Sequence, residues 1–199
     1  MKYLALGDSY TIGEQVAYEM NFPNQLVRLM QAKGKTIQLD KLIAVTGWTT
    51  DELAAAIAKE KPSFDHDLVT LLIGVNNQYR GRSVDEYYWQ FYSLLCQSVL
   101  FAKGTEKNVV VLSIPDWGLT PFNTSMDKQK VSLEIDAFNQ INKEITLEMG
   151  CHYVDITTLT RMHAIDLIYL AEDKLHYSQK EYALWAAEIG KIQLSANSR

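Results

Sequence analysis

Four short segments of the chain carry the residue types that acyl-transfer chemistry requires. Together they offer a hydroxyl, an imidazole, a carboxylate and two places for oxyanion donors: Gly7-Asp8-Ser9-Tyr10, Thr46-Gly47-Trp48, Gly74-Val75-Asn76-Asn77 and Asp173-Lys174-Leu175-His176. A serine hydroxyl with a histidine in reach can attack an ester carbonyl and form an acyl-enzyme. These residue types therefore predict nucleophilic catalysis, provided that the fold brings the four segments together.

Short apolar runs predict the strands that would carry these segments. Five such runs lie at residues 3–6, 37–44, 68–73, 109–112 and 151–156. Nearly continuous apolar runs are typical of a parallel sheet that is covered by helices on both faces. The second run also contains Gln38, Asp40 and Lys41, so we expect it to form an edge strand.

Apolar residues recur at helical spacing between these runs. Capping boxes are expected at two helix starts, namely Thr49 with Glu52 and Ser83 with Glu86, and Ser178 and Glu181 are expected to open the last helix. Two of the predicted apolar stripes are Leu133, Ala137, Phe138, Ile141 and Ile145, and Tyr182, Trp185, Ile189 and Ile192.

The alternation of strands and helices predicts an α/β fold. With right-handed crossovers it becomes a three-layer α/β/α sandwich, with a flavodoxin-like five-stranded parallel sheet. The 199 residues suit a single domain over residues 1–199. Residues 115–127 form the longest irregular stretch, which we expect to be a functional loop.

Ligands bind beyond the carboxyl ends of the strands in such a sheet, so the four segments should converge there. Ser9 is the predicted nucleophile, although a serine after a strand can also simply cap the next helix. Among the four histidines, His176 is the predicted base. His66 and His152 are expected at the opposite end of the sheet, His66 at the surface, which leaves His163 as the rival.

A carboxylate must orient the imidazole of such a pair and stabilise its charged form. Asp173 lies three residues before His176, a spacing that can bring it to the far ring nitrogen when the segment turns into a helix. Glu172 and Asp155 are the alternatives.

At these residues the chain resembles the SGNH hydrolases, also called the GDSL esterase/lipase family. Gly7-Asp8-Ser9-Tyr10 resembles the family's first block, Gly47 the second, Gly74-x-Asn76 the third and Asp173-x-x-His176 the last, in the same order. The resemblance covers nearly the whole chain. It departs from the usual pattern at Tyr10, where the family has leucine, and at Asn77, where it has aspartate.

The resemblance implies a role for each matched residue. Ser9, His176 and Asp173 would form the catalytic triad. The backbone N–H groups of Ser9 and Gly47 and the side-chain amide of Asn76 would form the oxyanion hole, and Asn77 is the competitor for Asn76. Asp8 is interpreted as a residue that braces its loop. No metal and no organic cofactor is expected.

Aromatic residues near these segments are candidates for binding the substrate. Trp48, Tyr79 and Trp117 are the weakly predicted substrate contacts, with Phe122 in the same irregular stretch as Trp117. Packing in an ordinary core is the competing interpretation. Arg80 and Arg82 could meet an anionic substrate or lie solvated on the surface.

Composition excludes several classes of protein. Hydrophobic residues make up 47% and charged residues 22%, which is ordinary for a globular chain, and the net charge of −5 argues against nucleic acid as a partner. No apolar run approaches the roughly 20 residues of a membrane span. Cys96 and Cys151 match no metal or redox spacing, and the N-terminus lacks a signal-peptide pattern. A cytoplasmic location is expected, unless an N-terminal leader was removed.

The predicted function is that of a serine esterase or acylhydrolase, acting through an acyl-enzyme on a small or carbohydrate-linked ester. A lysophospholipase or thioesterase would use the same mechanism, and an acyltransferase the same residues. From other classes, a non-catalytic flavodoxin-like ligand-binding module and a catalytically dead relative remain alternatives. The sequence leaves the oligomeric state open.

Overall fold

The computed structural model describes residues 1–194 and contains a parallel five-stranded sheet between two layers of helices. The strands are β1 (Lys2–Gly7), β2 (Gln38–Ala44), β3 (Leu68–Leu72), β4 (Val109–Leu112) and β5 (His152–Val154). They lie in the order β2-β1-β3-β4-β5, and every neighbouring pair is parallel. This order confirms the predicted fold class and places the amphipathic second strand at an edge.

The described helices are α1 (Ser9–Ile12), α2 (Phe22–Ala32), α3 (Thr50–Glu60), α4 (Val75–Tyr79), α5 (Val84–Phe101), α6 (Lys128–Glu148), α7 (Thr157–Met162) and α8 (Gln179–Ile189). On one face of the sheet α2 packs against α8, and on the other face α5 lies between α3 and α6. The short helices α1, α4 and α7 directly follow strands or strand ends, and the apolar periodicity did not predict them. A helix of four to six residues is too short to show a repeating apolar stripe.

The strands of the central layer are buried because helices cover both of their faces. Every residue of β3 and β4 is buried, so these runs of Leu, Val and Thr show no alternation between polar and apolar positions. The strands therefore end in a rigid frame, and the loops that leave their carboxyl ends start from fixed positions.

The structure corrects two of the expected helical details. Of the predicted capping boxes, only that of Thr49 and Glu52 has both of its hydrogen bonds, one to each side chain from the backbone N–H of the other residue. Glu86 instead bonds Arg82 and Gln90, while Glu181 is fully buried against His163 and Trp185. Each glutamate therefore bonds other side chains instead of the backbone N–H at the start of its helix.

The apolar stripe of α6 is also displaced from the prediction. Leu133 is 61% exposed and Ala137 is exposed, whereas the buried face consists of Val131, Ile135, Phe138, Asn142 and Ile145. Asn142 could not be recognised as a buried position from its type. It is buried because its amide bonds the hydroxyls of Tyr87 and Tyr153.

His66 was expected at the surface and is instead fully buried. Its Nε2 lies 3.2 Å from the Asp40 carboxylate of β2, at the amino end of the sheet. His66 therefore lies at the predicted end of the sheet, but the prediction that it is exposed at the surface was wrong. No helix within residues 1–194 combines the length and hydropathy that crossing a membrane would require.

Candidate active site

A cavity of about 170 Å³ opens at the carboxyl ends of β1, β2 and β3. The residues that line it are Ser9, Tyr10, Thr46, Gly47, Val75, Asn76, Tyr79, Trp117, Phe122, Leu175 and His176. All four of the segments singled out in the sequence contribute to this lining, and Tyr79, Trp117 and Phe122 come from outside them. Ser9 is 4% exposed and His176 is 7% exposed, so both lie in a largely water-excluded wall.

Ser9 occupies the first position of α1, directly after the strand β1. Asp8 caps this helix, and its Oδ1 accepts a hydrogen bond of 3.0 Å from the N–H of Tyr10. The turn must be tight, because a Cβ on Gly7 would lie 2.1 Å from Thr11 Oγ1 and 2.4 Å from the carbonyl of Leu72. The glycine therefore lets the chain enter the helix against β3 and fixes where Ser9 stands.

The carboxyl group of Asp8 is fully buried beneath this turn. Its second oxygen, Oδ2, has no hydrogen-bond partner among the described residues. Burial raises the pKa of Asp8 to about 7, against the opposing effect of the Tyr10 N–H. The structure is thus compatible with the bracing role inferred from the sequence, and it adds a titratable acid next to Ser9.

Asp173 and His176 face each other across a tight turn. Asp173 Oδ2 lies 2.6 Å from His176 Nδ1, and Asp173 Oδ1 accepts 2.9 Å bonds from the backbone N–H groups of Leu175 and His176. Lys174 has a φ of +60°, which closes the turn. Partial burial acts to raise the pKa of Asp173, but these hydrogen bonds outweigh it and hold the pKa below its usual value.

This arrangement fixes which ring nitrogen of His176 can act as a base. With Nδ1–H donating to Asp173, the neutral ring presents Nε2 as its lone-pair acceptor. The ring of Tyr10 packs against the imidazole at a centroid distance of 5.4 Å. Tyr10, which stands where the family's first block usually has leucine, therefore packs against one side of the histidine ring.

The loops after β2 and β3 are tied to each other around Gly47 and Asn76. Asn76 Nδ2 donates to the carbonyl of Trp48 at 2.9 Å, and Arg80 Nη2 donates to the carbonyl of Gly47 at 2.6 Å. Gly47 has a φ of +88°, a conformation that favours glycine. Because the amide of Asn76 has two hydrogens, one remains available for a bound ligand.

Asn77, the competitor for Asn76, is buried and points elsewhere. Its Oδ1 accepts a 3.1 Å bond from the N–H of Thr50, and its Nδ2 donates to Thr50 Oγ1 at 2.7 Å. Thr50 Oγ1 in turn contacts Gln90 Oε1. The asparagine amide thus links α4 to the N-terminus of α3, and only Asn76 of the pair lines the cavity.

Aromatic side chains form another part of the cavity wall. Trp117 Nε1 donates to Gln78 Oε1 at 2.8 Å, and Gln78 Nε2 donates to Glu134 Oε2 at 2.7 Å, which holds the indole from behind. Tyr79 meets Trp117 edge-on at 5.1 Å, and Phe122 lies 6.3 Å from it. Of the three predicted substrate contacts, Tyr79 and Trp117 line the cavity.

Trp48 does not line the cavity, contrary to the prediction. Its half-buried side chain packs against the hydrophobic core instead. Position next to Gly47 in the sequence gave no information on the direction of the side chain. Arg80 and Arg82 do not line the cavity either, since they pair with the carboxylates of Glu52 and Asp51.

The rival groups lie outside the cavity. His163 Nδ1 contacts Glu181 at 2.7 Å and its ring stacks on Tyr169 at 3.8 Å. His152 is half-buried in β5 and Glu172 is exposed. Asp155 bonds Thr158 at the start of α7. None of the four lines the cavity.

Sequence reasoning did not single out Val75 and Leu175 as wall residues, or Gln78 and Glu134 as supports of the indole. Val75 and Leu175 lie inside two of the four segments, so their position in the sequence could have predicted that they line the cavity. Glu134 comes from the middle of α6, more than fifty residues from Gln78. No local pattern could have connected those two side chains.

Comparison with known proteins agrees with this architecture. The model of the GDSL-like lipase/acylhydrolase family matches residues 5–184. No curated protein sequence matches the chain significantly.

Solved structures share the fold over almost the whole chain. The acetylxylan esterase Axe2 from Geobacillus stearothermophilus has a TM-score of 0.75 at 20% identity, covering 100% of this chain and 97% of its own. A lipase/acylhydrolase from Enterococcus faecalis has a TM-score of 0.72 at 18% identity, covering 96% and 93%. The psychrotrophic esterase EstA from Pseudoalteromonas sp. has a TM-score of 0.69 at 16% identity, covering 96% and 95%.

Proposed function

The chain belongs to the GDSL-like lipase/acylhydrolase family and is a carboxylic ester hydrolase, and from this premise we propose that it cleaves small or carbohydrate-linked esters through an acyl-enzyme on Ser9. The observation that carries the proposal is the Asp173–His176 pair, 2.6 Å apart, on the wall that His176 shares with Ser9. A histidine oriented by a carboxylate and placed beside a serine is the arrangement that activates a nucleophile.

In the first half of the reaction Ser9 Oγ attacks the carbonyl carbon while His176 Nε2 takes the hydroxyl proton. Asp173 stabilises the imidazolium that forms and keeps Nδ1–H pointed at itself. The tetrahedral oxyanion is held by the N–H groups of Ser9 and Gly47 and the Asn76 amide, each such donor being worth about 3 kcal/mol. When the tetrahedral intermediate collapses, the C–O bond to the alcohol breaks and His176 gives its proton to the leaving oxygen.

In the second half a water molecule replaces the alcohol. His176 takes a proton from the water, whose oxygen attacks the acyl carbon. The second tetrahedral intermediate breaks the bond to Ser9 Oγ, which recovers the proton from His176, and the carboxylic acid leaves. If another alcohol takes the place of water, the same steps give acyl transfer.

The size and lining of the cavity favour a compact, uncharged acyl group. A cavity of about 170 Å³ is close to the roughly 150 Å³ of an engineered apolar cavity that binds benzene. Its walls carry Val75, Trp117, Phe122 and Leu175, and no Asp, Glu, Lys or Arg of the described residues lines it. An acetyl to butyryl group fits this volume, whereas a long acyl chain has to leave through the mouth beside Tyr79, which is 55% exposed.

Hydrolysis of p-nitrophenyl acetate, butyrate and octanoate by the wild type and Ser9→Ala tests the proposal. We expect a burst of p-nitrophenol, a higher kcat/KM for the two short esters, and a loss of at least about 10⁴-fold in Ser9→Ala. Ser93→Ala, on the exposed side of α5, is the matched control and should keep full activity. Acetate release from an acetylated xylooligosaccharide then tests whether the enzyme also cleaves carbohydrate-linked esters.

Each contrary result has a distinct meaning. A preference for octanoate would favour the lysophospholipase or thioesterase alternative. Turnover that survives Ser9→Ala would overturn the assignment of the nucleophile. If the folded wild type neither turns over any of these esters nor reacts with a fluorophosphonate at Ser9, the chain acts as a binding module.

A further inference from the structure

The outer face of α5 is unusually apolar for a surface that faces solvent. Residues 87–102 contain no Asp, Glu, Lys or Arg, although only one side of the helix faces the sheet. The inward side carries Tyr87, Phe91, Leu94, Leu95 and Ser98, all buried. The outward side carries the uncharged polar residues Gln90, Ser93 and Gln97 beside apolar ones, and an apolar stripe on a helix is normally covered by another element.

The exposed apolar residues form one continuous stripe. Trp89 is 69% exposed, Tyr92 is 43% exposed and Leu100 is 56% exposed, with the half-buried Cys96 between the last two. Their spacing of three, four and four residues keeps them on one line along the helix. We call Trp89, Tyr92, Cys96 and Leu100 the α5 stripe.

The neighbouring helix in the same layer shows what an ordinary surface of this molecule looks like. The exposed side of α6 carries Asp136, Lys143, Glu144 and Glu148. It also exposes Leu133 and Leu147, at 61% and 56%. The α5 stripe therefore differs from the surface of α6 in that no charged residue separates its apolar residues, although α6 also exposes some apolar area.

Charges at the two ends of α5 complement each other in an antiparallel pair of copies. Asp85 and Glu86 lie in the first turn, where Glu86 pairs with Arg82 of its own chain at 3.2 Å, and Lys103 and Lys107 follow the last turn. Lys103 also bonds Asp67 of its own chain at 2.5 Å. A two-fold axis across the stripe would set the acidic end of each helix beside the basic end of the other, and would align the helix dipoles favourably.

We propose that the α5 stripe is a homodimer interface in which two copies of this chain pack α5 against α5 in antiparallel orientation. An 18-residue helix is about 27 Å long, and a stable interface buries about 800 Å² on each partner. The stripe supplies the centre, and the adjoining parts of α3 and α6 supply the rim. An anionic lipid surface is a poorer match, because the chain has a net charge of −5 and acidic residues at one end of the stripe.

Light scattering and sedimentation velocity from about 1 to 100 µM test the proposal on the full chain. We expect a species of twice the 22.7 kDa chain mass that dissociates on dilution. Trp89→Glu should weaken the dimer at least tenfold, since it places a charge against Leu100 of the other copy at each end of the apolar stripe. The matched control is Ile165→Glu, because Ile165 is 76% exposed outside the three-helix layer and its substitution should leave the dimer unchanged.

The orientation of the two helices has its own test. The stripe runs from residue 89 to residue 100, so Cys96 lies close to the axis of an antiparallel pair. Oxidation with copper phenanthroline, which accepts the two electrons, should therefore link Cys96 to Cys96 of the second copy with loss of two thiol protons. Cys96→Ser should abolish the link.

Three results would overturn the proposal. One is a monomer throughout the concentration range, and another is a dimer of unchanged affinity in a folded Trp89→Glu. The third is a dimer that Cys96 cannot cross-link, which would exclude the antiparallel arrangement. Ester hydrolysis by Trp89→Glu should equal that of the wild type, so the two proposals fail independently.

Discussion

At the residue scale, single carboxyl groups near the cavity differ in their environments and therefore in their chemistry. Asp173 is partly exposed and accepts three hydrogen bonds, so its pKa lies below the usual value and it stays charged. Asp8 is fully buried with one oxygen unpartnered among the described residues, so its pKa is raised to about 7. One acid is suited to stabilise an imidazolium, and the other to brace a turn in its neutral form.

Replacing Asp173 by Asn tests the first role. The amide preserves the size of the side chain but can place an N–H against Nδ1, which favours the wrong tautomer of His176. We expect kcat to fall about 10³- to 10⁴-fold with little change in KM, as for the corresponding change in a serine protease triad. Steady-state kinetics on p-nitrophenyl acetate measure this, with Glu172→Gln as the control. A loss of less than tenfold would show that Asp173 does not orient the base.

The buried acid Asp8 predicts a dependence of stability on pH. In the unfolded chain its pKa is about 3.9, whereas in the folded chain it is about 7, so between these values the folded state alone keeps the proton. The free energy of unfolding should therefore decline as the pH rises from about 4 to 7. From this shift, the total decline across that range is up to about 4 kcal/mol.

Asp8→Asn removes the titrating group while keeping a side chain that caps helices well. In urea unfolding at several pH values, this variant should gain stability relative to the wild type as the pH rises from 5 to 8. An equal difference between the two proteins at every pH would contradict the raised pKa. Asp65→Asn, at an exposed residue, is the control for a general effect of charge removal.

At the element scale, the loops that leave β1, β2 and β3 are held by a few backbone conformations and buried bonds. Gly74 follows β3 with a φ of +134°, and a Cβ there would lie 2.7 Å from the ring of Tyr87. Asn77, three residues later, ties α4 to the start of α3. Both features position Asn76, which stands between them.

Gly74→Ala should be strongly destabilising, for both conformational and steric reasons. Gly104→Ala is its matched control, since Gly104 also has a positive φ, of +70°, but a Cβ added there would meet no described atom within 4 Å. The control should lower the free energy of unfolding by about 1–2 kcal/mol because of the backbone conformation alone, and Gly74→Ala should lower it clearly more. Urea unfolding measures both. Equal costs would mean that Tyr87 moves aside freely.

Asn77→Ala should destabilise the chain by about 1–3 kcal/mol, because it leaves the buried N–H of Thr50 without its acceptor. It should also lower kcat through the displaced Asn76, without raising KM in proportion. Thermal unfolding and kinetics on the short esters measure the two effects. Full activity in Asn77→Ala would show that the third loop does not depend on this link.

At the scale of the whole molecule, one hydrophobic core connects both helical layers through the sheet. We therefore predict a single cooperative unfolding transition, as expected of one domain. Tryptophan fluorescence and far-ultraviolet circular dichroism should give coincident urea curves, because Trp117 and Trp185 are both buried and report on the same cooperative unit. Two separated transitions would contradict the single domain predicted for residues 1–199.

The sequence by itself predicted the fold class and the order of the strands and the longer helices. Short, nearly continuous apolar runs favour buried strands, and their alternation with helical stripes leaves few topologies. It also predicted which polar segments meet, because parallel strands deliver their carboxyl ends to one edge. Ser9, Gly47, Asn76 and His176 do line one cavity, with Asp173 bonded to the histidine.

Only the tertiary structure decided the direction and burial of individual side chains. Trp48 packs against the core, His66 is buried with Asp40, and Glu86 bonds Arg82 instead of completing a capping box. The same is true of the bond from Gln78 to Glu134 that fixes Trp117. Apolar periodicity indicates which face of an element is buried, and so it predicts the sheet and the helices that cover it. A polar side chain is positioned by partners that are distant in the chain, and no local pattern contains them.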